Sequence, residues 1–310
     1  MITRRFALYA AAFLASLPAM AQQAPRPQRP PQDPALVAAI SKSNAYISLM
    51  NRTLRATQSW DRYASWVNVK TGPTGRERYI TYGLYSLYDV RSEIAKAKSA
   101  MMADPKSPEL DAAMGRYIAA YEALAPIITQ ANGYYERQDY KVDNMAEGKA
   151  LHVKLVPAAE TFNTERAKIE GLLKAFKRDI DERELAAIEA TEGKTGRYHV
   201  KIVMMRAQEI MDFMPTDKKP IVDMKGYDEA LARFAPVVRE FDAFNAANPG
   251  QMSGFDSYPS RFLGKLREFQ TKLQKSKGDA RRGAGNDFTW IVNDYNMMIS
   301  SAQMAMRFSR

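Results

Sequence analysis

Apolar residues recur at intervals of three and four from Ala35 almost to the C-terminus. Such spacing places the apolar side chains on one face of a helix. No segment alternates apolar and polar residues between hairpin turns, as a strand of a half-exposed sheet would. The clearest apolar stripes are Leu36–Leu54, Leu110–Ile128, Leu155–Ile180, Tyr227–Phe241, Phe262–Leu273 and Tyr295–Met306. The pattern predicts an all-α fold, a single multi-helix bundle with long amphipathic antiparallel helices and no sheet.

Glycine and proline divide these stripes into separate helices. The turn Gly72–Gly75 is predicted to end the first long helix, and Lys275–Asn286, with charge and three glycines but no apolar stripe, is predicted to be an exposed loop. Because no breaker is long enough for a domain linker, we expect one helical domain over residues 35–310, with roughly seven to nine helices.

The first 21 residues have the pattern of a secretory signal peptide. Arg4 and Arg5 precede an apolar run of about twelve residues, Phe6–Leu17, which is too short to span a bilayer. Small residues follow at Ala19 and Ala21, where signal peptidase requires them. We therefore expect cleavage after Ala21 and a periplasmic protein, with general secretion and twin-arginine export both open.

Residues 22–34 are rich in proline and glutamine. This composition resists helix and sheet and favours an extended chain. The segment is short and has no apolar stripe that could form a core. We interpret it as a spacer between the signal peptide and the helical domain.

Composition narrows the classes of partner and chemistry. The formal net charge is +10, which favours association with anionic surfaces. The chain has no cysteine, which excludes disulfides, thiolate metal sites and a lipidated N-terminal cysteine. We therefore expect anionic envelope components, peptidoglycan or a lipid surface, as partners. We expect no nucleic acid, no lipoprotein anchor and no membrane-spanning segment after the leader is removed.

Residues 131–152 concentrate polar aromatic and acidic side chains between two apolar stripes. Tyrosine has an apolar face and a polar tip, so such a cluster can line a groove for a sugar or a peptide. The candidate ligand-binding residues are Tyr134, Tyr135, Asp139, Tyr140, Asp143 and His152. The same tyrosines could instead hydrogen-bond helices together inside the core, and both interpretations stay open here.

We expect residues 131–152 to form a turn between helices. The pair Asn132–Gly133 suits a helix end, and Asp143 is placed to cap the next helix. The tyrosines carry too much apolar area for a free connection, at roughly 25 cal/mol per Å² when buried. They are therefore predicted to be largely buried and to clamp the turn onto the bundle.

The residue patterns leave three functional classes open. The first, which we favour, is a binding or scaffolding protein. The second is an enzyme acting on cell-wall or glycan material, with Asp139, Asp143 and His152 as acid–base groups. The third is a metal-binding protein using His152 or methionines such as Met211 and Met214. Neither histidine has the spacing of a zinc site, and we expect no catalytic residue, no cofactor and no metal.

Several stretches together resemble the YiiG family of bacterial envelope proteins, a domain of unknown function. The stretches that carry the resemblance are Arg62–Trp66, Gly72–Arg78, Tyr82–Tyr85, Tyr134–His152, Glu184–Ile188, Glu192–Thr195, Ser257–Pro259 and Asn293–Asn296. The resemblance implies an exported, mostly helical protein at the bacterial envelope. Many family members resemble lipoproteins, whereas this chain has no cysteine to lipidate. The family offers no catalytic residues to carry over.

Overall fold

A computed structural model describes residues 33–216, 219–282, 284 and 287–308. The predicted signal peptide, residues 1–21, and the spacer up to residue 32 lie outside this range. The helices are α1 Pro34–Ala64, α2 Arg91–Met102, α3 Pro108–Glu136, α4 Ala146–Glu192, α5 Gly196–Met211, α6 Met224–Ala247, α7 Tyr258–Lys275 and α8 Asp287–Phe308. No β-strand occurs in the described residues, so the predicted all-α class is confirmed.

The chain falls into two compact units, divided between Ile180 and Asp181. The division lies inside α4, which begins in the first unit and ends in the second. Helices α1 to α3 belong to the first unit, and α5 to α8 belong to the second. The single domain expected over residues 35–310 remains a prediction.

In the first unit, α1, α2 and α3 contact one another, and α4 is joined to α1 and α3. The rings of Tyr117 on α3 and Phe162 on α4 stack with centres 5.3 Å apart. Arg166, which interrupts the apolar stripe of α4, donates to the carbonyl of Met50 at 2.9 Å and to the hydroxyl of Tyr117 at 3.0 Å. The polar break in the stripe is therefore a hydrogen-bonded link among three helices.

In the second unit, α5 to α8 form a four-helix bundle, because each helix contacts the next and α8 contacts α5. The large aromatic side chains of its core include Tyr227, Phe234, Phe241, Phe255, Phe262 and Phe269. One buried cation, Lys201, bonds Asp181 at 2.7 Å and Glu184 at 2.6 Å. Burial lowers the pKa of Lys201, but the carboxylates of Glu184 and Asp181 outweigh it and hold the pKa above its ordinary value.

The first helix ends earlier than predicted. It stops at Ala64, so the expectation that it would run to the Gly72–Gly75 turn is wrong. The hydroxyl of Ser65 donates to the carbonyl of Arg62 at 2.6 Å, and the chain then turns so that Trp66 is buried. The helix end therefore comes directly before this buried ring.

Residues 65–90 form a long irregular segment that folds back along α1. The hydroxyl of Ser59 on α1 donates to the carbonyl of Tyr85 at 3.1 Å. The indole N–H of Trp66 donates to the carbonyl of Gly83 at 2.9 Å. These bonds satisfy backbone groups that a segment without regular structure would otherwise leave unpaired. The segment is thereby held against the helix surface.

The third helix ends later than predicted. It continues through Asn132–Gly133 to Glu136, so the expected stop at that pair is wrong. Without a side chain, Gly133 leaves room for the guanidinium of Arg137, which would lie 2.9 Å from an added Cβ. Continuing the helix also buries Tyr134 and Tyr135 completely or nearly so. This burial outweighs the weak helical preference of the Asn–Gly pair.

Candidate functional site

The six predicted site residues lie around the connection between α3 and α4. Tyr134 and Tyr135 occupy the last turn of α3, and a short 3₁₀ turn, Asp139–Lys141, includes Tyr140. Asp143 precedes α4, and His152 lies within its second turn. The members that the fold buries are Tyr134, Tyr135, Tyr140 and His152. The expected burial of the tyrosines is therefore confirmed.

Asp143 caps the start of α4, as its position predicted. One carboxylate oxygen accepts the N–H of Glu147 at 2.8 Å, and the other accepts the N–H of Met145 at 2.9 Å. The hydroxyl of Tyr134 donates to the same carboxylate at 2.8 Å. The N–H of Glu147 is the largest influence holding the pKa of Asp143 below its ordinary value, and Tyr134 and Met145 add to it. Asp143 therefore links the end of α3 to the start of α4.

His152 is a neutral, hydrogen-bonded side chain inside the first unit. Its Nε2 lies 3.2 Å from the carbonyl of Val69, which can only accept, so Nε2 carries the proton. Nδ1 then accepts from the hydroxyl of Tyr63 at 2.9 Å. Burial lowers the pKa of His152, and the bond to Val69 only partly opposes it. The ring is thus held in one tautomer between α1 and the irregular segment.

The tyrosines belong to a larger aromatic cluster. The ring of Tyr135 meets Tyr134 edge-on at 5.0 Å and Trp66 edge-on at 5.1 Å. The ring of Tyr63 meets Trp66 edge-on at 5.0 Å, and Tyr140 contacts the edge of Tyr134 at 6.5 Å. Edge-to-face packing of this kind adds stability beyond area burial. We call these five side chains with His152 the tyrosine cluster.

Two glycines allow the close approaches that the tyrosine cluster needs. An added Cβ at Gly148 would lie 2.3 Å from the sulfur of Met145 and 3.0 Å from the ring of Tyr134. Gly72 has a φ of +80°, and an added Cβ there would lie 3.0 Å from the ring of His152. The packing of α4 and of the irregular segment therefore depends on these two positions.

The acid–base groups in and beside the tyrosine cluster are held in internal bonds. Asp143 serves as a helix cap, and both nitrogens of His152 are engaged. Asp139 forms an ion pair with Arg137, with 2.6 Å between the guanidinium Nη2 and the carboxylate. Burial is the main cause that raises the pKa values of Tyr63 and Tyr135, so both stay protonated at neutral pH. In this geometry each of these groups already has a partner within the fold.

A second constellation, on the surface of the first unit, was not found from the sequence. Tyrosines of the irregular segment lie against arginines of α1. The guanidinium carbons of Arg55 and Arg62 lie 3.9 Å and 4.2 Å from the ring centre of Tyr85. That of Arg52 lies 4.5 Å from the ring centre of Tyr88. We call the set the arginine–tyrosine surface; its members are Arg52, Arg55, Arg62, Arg78, Tyr79, Tyr82, Tyr85 and Tyr88.

None of these four arginines forms an ion pair with a carboxylate in the described part of the chain. The guanidinium of Arg55 donates to the carbonyl of Ser86, and that of Arg62 donates to the carbonyl of Tyr82. The neighbouring carboxylate of Asp89 pairs with Arg91 at 2.6 Å. The arginine–tyrosine surface therefore has several cationic groups held by rings and carbonyls.

A sequence signal for this surface was present. Tyrosine occupies every third position from Tyr79 to Tyr88, and Arg52, Arg55 and Arg62 share one face of α1. Each pattern taken separately is unremarkable. The two meet because the segment folds back along the helix, which the sequence pattern did not indicate.

Comparison with protein families identifies the chain. The family model described as "Protein of unknown function (DUF3829)" matches residues 37–302. The chain belongs to this family. The "Uncharacterized protein YiiG" of Escherichia coli (strain K12) is 29% identical over 258 residues, which cover 82% of this chain and 73% of that protein. The resemblance to YiiG seen in the sequence motifs is confirmed. No solved structure matches the chain.

This DUF3829 chain also has a groove of about 650 Å³ in its first unit, between the start of α2 and the middle of α3. Its lining includes the apolar side chains of Val90 and Pro126 and the charged side chains of Asp89, Arg91 and Glu122. Within residues 33–216, 219–282, 284 and 287–308, no group of three or more histidine or acidic side chains is placed to hold a metal ion. Over the same described ranges, no helix is long and apolar enough to cross a membrane.

Proposed function

We propose that this DUF3829 protein is an exported periplasmic module that binds or scaffolds at the cell envelope. The observation that carries the proposal is a contrast between two sites in the first unit. The polar groups in and beside the tyrosine cluster bond one another, whereas the arginines of the arginine–tyrosine surface form no ion pair with a carboxylate in the described chain. A surface of cations without ion pairs suits binding to an anionic component.

Export is tested by fractionating cells that express the full chain. We expect the protein in the periplasmic fraction, with an N-terminus at Gln22 by mass spectrometry, because the pattern of residues 1–21 directs cleavage after Ala21. Recovery of an uncleaved protein from the cytoplasm would contradict the proposal. A variant with Arg4→Glu and Arg5→Glu, which lacks the charged start of the leader, serves as the control for retention.

The enzyme alternative is tested by incubating the purified protein with peptidoglycan fragments. We expect no new products, because Asp139, Asp143 and His152 are engaged in internal bonds. Products that disappear in an Asp143→Asn or His152→Gln variant would replace binding by catalysis as the function. Metal analysis of protein purified without chelators decides the remaining alternative, a metal-binding protein.

A further inference from the structure

We propose that the arginine–tyrosine surface is a docking site for the phosphate groups of an anionic lipid bilayer. The inference deepens the proposed function, on which it rests, by naming the surface and its partner. It begins from the arrangement of the guanidinium groups. Arg52, Arg55 and Arg62 line one face of α1, and the span from the first to the last is about 15 Å at 1.5 Å per residue.

The tyrosines orient these guanidinium groups. The planar guanidinium groups of Arg55 and Arg62 lie over the ring of Tyr85, with their carbons 3.9 Å and 4.2 Å from its centre, as in a cation–π contact. A guanidinium stacked by its face still has N–H groups along its edge, and these can donate in pairs to phosphate oxygens. Because stacking orders the side chain in advance, less side-chain entropy is lost on binding an anion.

The same stacking argues against a sugar-binding platform. A sugar ring packs on an open aromatic face. Here several ring faces already have a neighbour: Tyr79 and Tyr82 stack on each other at 5.1 Å with an angle of 22° between their planes. Arg55 and Arg62 lie on Tyr85, and Arg52 lies on Tyr88. The surface therefore offers donors for an anion, and part of its aromatic area is already covered by neighbouring rings and guanidinium groups.

The extent and composition of the surface favour a bilayer over one soluble phosphate. Four cations spread over the helix and the adjoining segment exceed the reach of a single phosphate group. Three tyrosines of the surface remain accessible: Tyr79, Tyr82 and Tyr88 are between 42% and 49% exposed. Exposed tyrosine and arginine side chains each combine an apolar body with a polar end, so they are favoured at the level of the lipid headgroups. Charge complementarity then selects anionic lipids.

The test is co-sedimentation of the purified mature protein with vesicles of phosphatidylglycerol and phosphatidylcholine. Replacing Arg52, Arg55 and Arg62 together by glutamine should weaken vesicle binding by about a hundredfold, if each arginine contributes as an average basic residue near an anionic surface. The matched control replaces three exposed lysines of the same unit, Lys141→Gln, Lys149→Gln and Lys154→Gln. It removes the same charge and should change binding little. Circular dichroism of both variants checks that the fold is retained.

A third variant carries Arg52→Lys, Arg55→Lys and Arg62→Lys. Lysine keeps the charge but lacks the planar fork, so binding should fall between those of the parent and the glutamine variant. It also separates loss of binding from loss of folding if the glutamine variant unfolds. Added salt should weaken binding of the parent, because exposed charges are screened.

Four results would overturn the assignment. The first is equal binding to the mixed vesicles and to pure phosphatidylcholine vesicles, and the second is no binding to either. The third is a loss of binding in the lysine-substituted control equal to that in the glutamine variant of the arginines. The fourth is tight binding of soluble glycerol phosphate by calorimetry without binding to vesicles. The last result would assign the arginines to a free phosphate ligand. If the protein is exported and processed but does not bind vesicles, the proposed function stands and only the lipid-docking proposal fails. The two failures are therefore distinguishable.

Discussion

At the scale of single residues, the least exposed cation among the described residues of the first unit is Lys42 on α1. Its Nζ bonds the two carboxylate oxygens of Asp111 on α3 at 3.0 Å and 2.9 Å, and the two side chains are 1% and 13% exposed. Tyr46 also donates to Asp111 at 2.5 Å. Burial of the Tyr46 hydroxyl raises its pKa, because the charged form would lose its contact with water. The hydrogen bond to Asp111 and the negative charge of that carboxylate raise the pKa of Tyr46 further. The group is therefore a buried link between α1 and α3.

Removing one partner of this pair should be strongly destabilising. We expect Asp111→Ala to lower the free energy of unfolding by about 3–5 kcal/mol, because it leaves the Lys42 ammonium buried and unpaired. Urea denaturation followed by circular dichroism measures the loss. The double variant Lys42→Met, Asp111→Leu should recover much of it, since it removes both charges.

The exposed pair Lys98–Glu122 provides the matched control. Its side chains are 56% and 48% exposed, with 3.0 Å between the charged atoms. Glu122→Ala should cost less than about 1 kcal/mol, because exposed ion pairs contribute little. Equal losses for Asp111→Ala and Glu122→Ala would show that burial does not set the strength of the Lys42 link.

The two histidines should make stability depend on pH below neutrality. Burial lowers the pKa of His152 and of His199 in the folded state. The unfolded chain binds the proton more tightly, with an ordinary pKa of about 6.5. The stabilisation is therefore fully present above about pH 6.5 and is lost as the pH falls toward the lowered folded values. Urea denaturation at intervals from about pH 8 to pH 5 should show this decline.

A double substitution tests whether the two histidines, and not the carboxylates, cause this pH dependence of stability. His199 lies 4.7 Å from the ring of Phe244, and within the described chain its Nδ1 has no hydrogen-bond partner. The double variant His152→Gln, His199→Phe should flatten the decline between about pH 7 and pH 5. An unchanged decline in this variant would assign the pH dependence to other groups.

At the scale of elements, the connection between α3 and α4 is held in unusual backbone conformations. Gln138, Asn144 and Met145 have φ values of 60°, 52° and 69°, in the left-handed region that residues other than glycine seldom adopt. Each such residue costs on the order of 1–3 kcal/mol. The connection persists because Tyr140, Asp143 and the buried Met145 attach it to the helices.

Tyr140 is the side chain that tests this attachment. Tyr140→Ala removes a buried ring from the tyrosine cluster, and we expect the melting temperature to fall by several degrees, as a loss above about 1 kcal/mol would cause. Val142, in the same connection, is 87% exposed, so Val142→Ala should melt like the parent. If Tyr140→Ala also melts like the parent while a bound ligand is lost, the segment is a binding site and not a clamp.

Two glycines of α4 test the close approach of that helix to α3. Gly148→Ala should destabilise the protein by about 1–3 kcal/mol, because its Cβ would overlap Met145 and press on Tyr134. Gly171→Ala is the control: its Cβ meets nothing within 4 Å, and the site is exposed. That substitution should stabilise the helix by up to about 1 kcal/mol. Similar effects at both positions would contradict the packing described for Gly148.

At the scale of the whole molecule, the open question is cooperativity between the two units. The chain divides between Ile180 and Asp181, yet α4 continues across that point from Ala146 to Glu192. We keep the prediction of one cooperative domain, because breaking a continuous helix at the division would forfeit its hydrogen bonds. Calorimetry should then show a single unfolding transition.

Hydrogen exchange read separately for each unit gives the sharper measurement. Asp111→Ala destabilises the first unit directly. If the chain is one cooperative domain, exchange should rise in the slowest peptides of α6 and α7 as well as in those of α1 and α3. A rise confined to the first unit, or two separate calorimetric transitions, would show that the two units unfold independently.

The sequence by itself determined the helical class, the core stripes and several local features. The burial of Tyr227, Phe234 and Phe241 follows from their spacing along α6, and the capping role of Asp143 follows from its place before α4. These features depend on residues a few positions apart, so the periodicity of the backbone and short-range hydrogen bonds decide them.

Only the tertiary structure decided where α1 and α3 end, which charges pair, and which surface stays cationic. Lys42 and Asp111 are 69 residues apart, and Arg55 and Tyr85 are 30 apart (85 − 55), so no local pattern joins them. The ends of α1 and α3 differ from the predicted ones. At these ends Trp66 and Tyr135 are buried, and we infer that this burial outweighs the local helix preferences of the sequence. The physical reason is common to all of these. The periodicity of the sequence predicts which face of a helix is apolar. Tertiary packing determines which other elements that face and its polar neighbours contact.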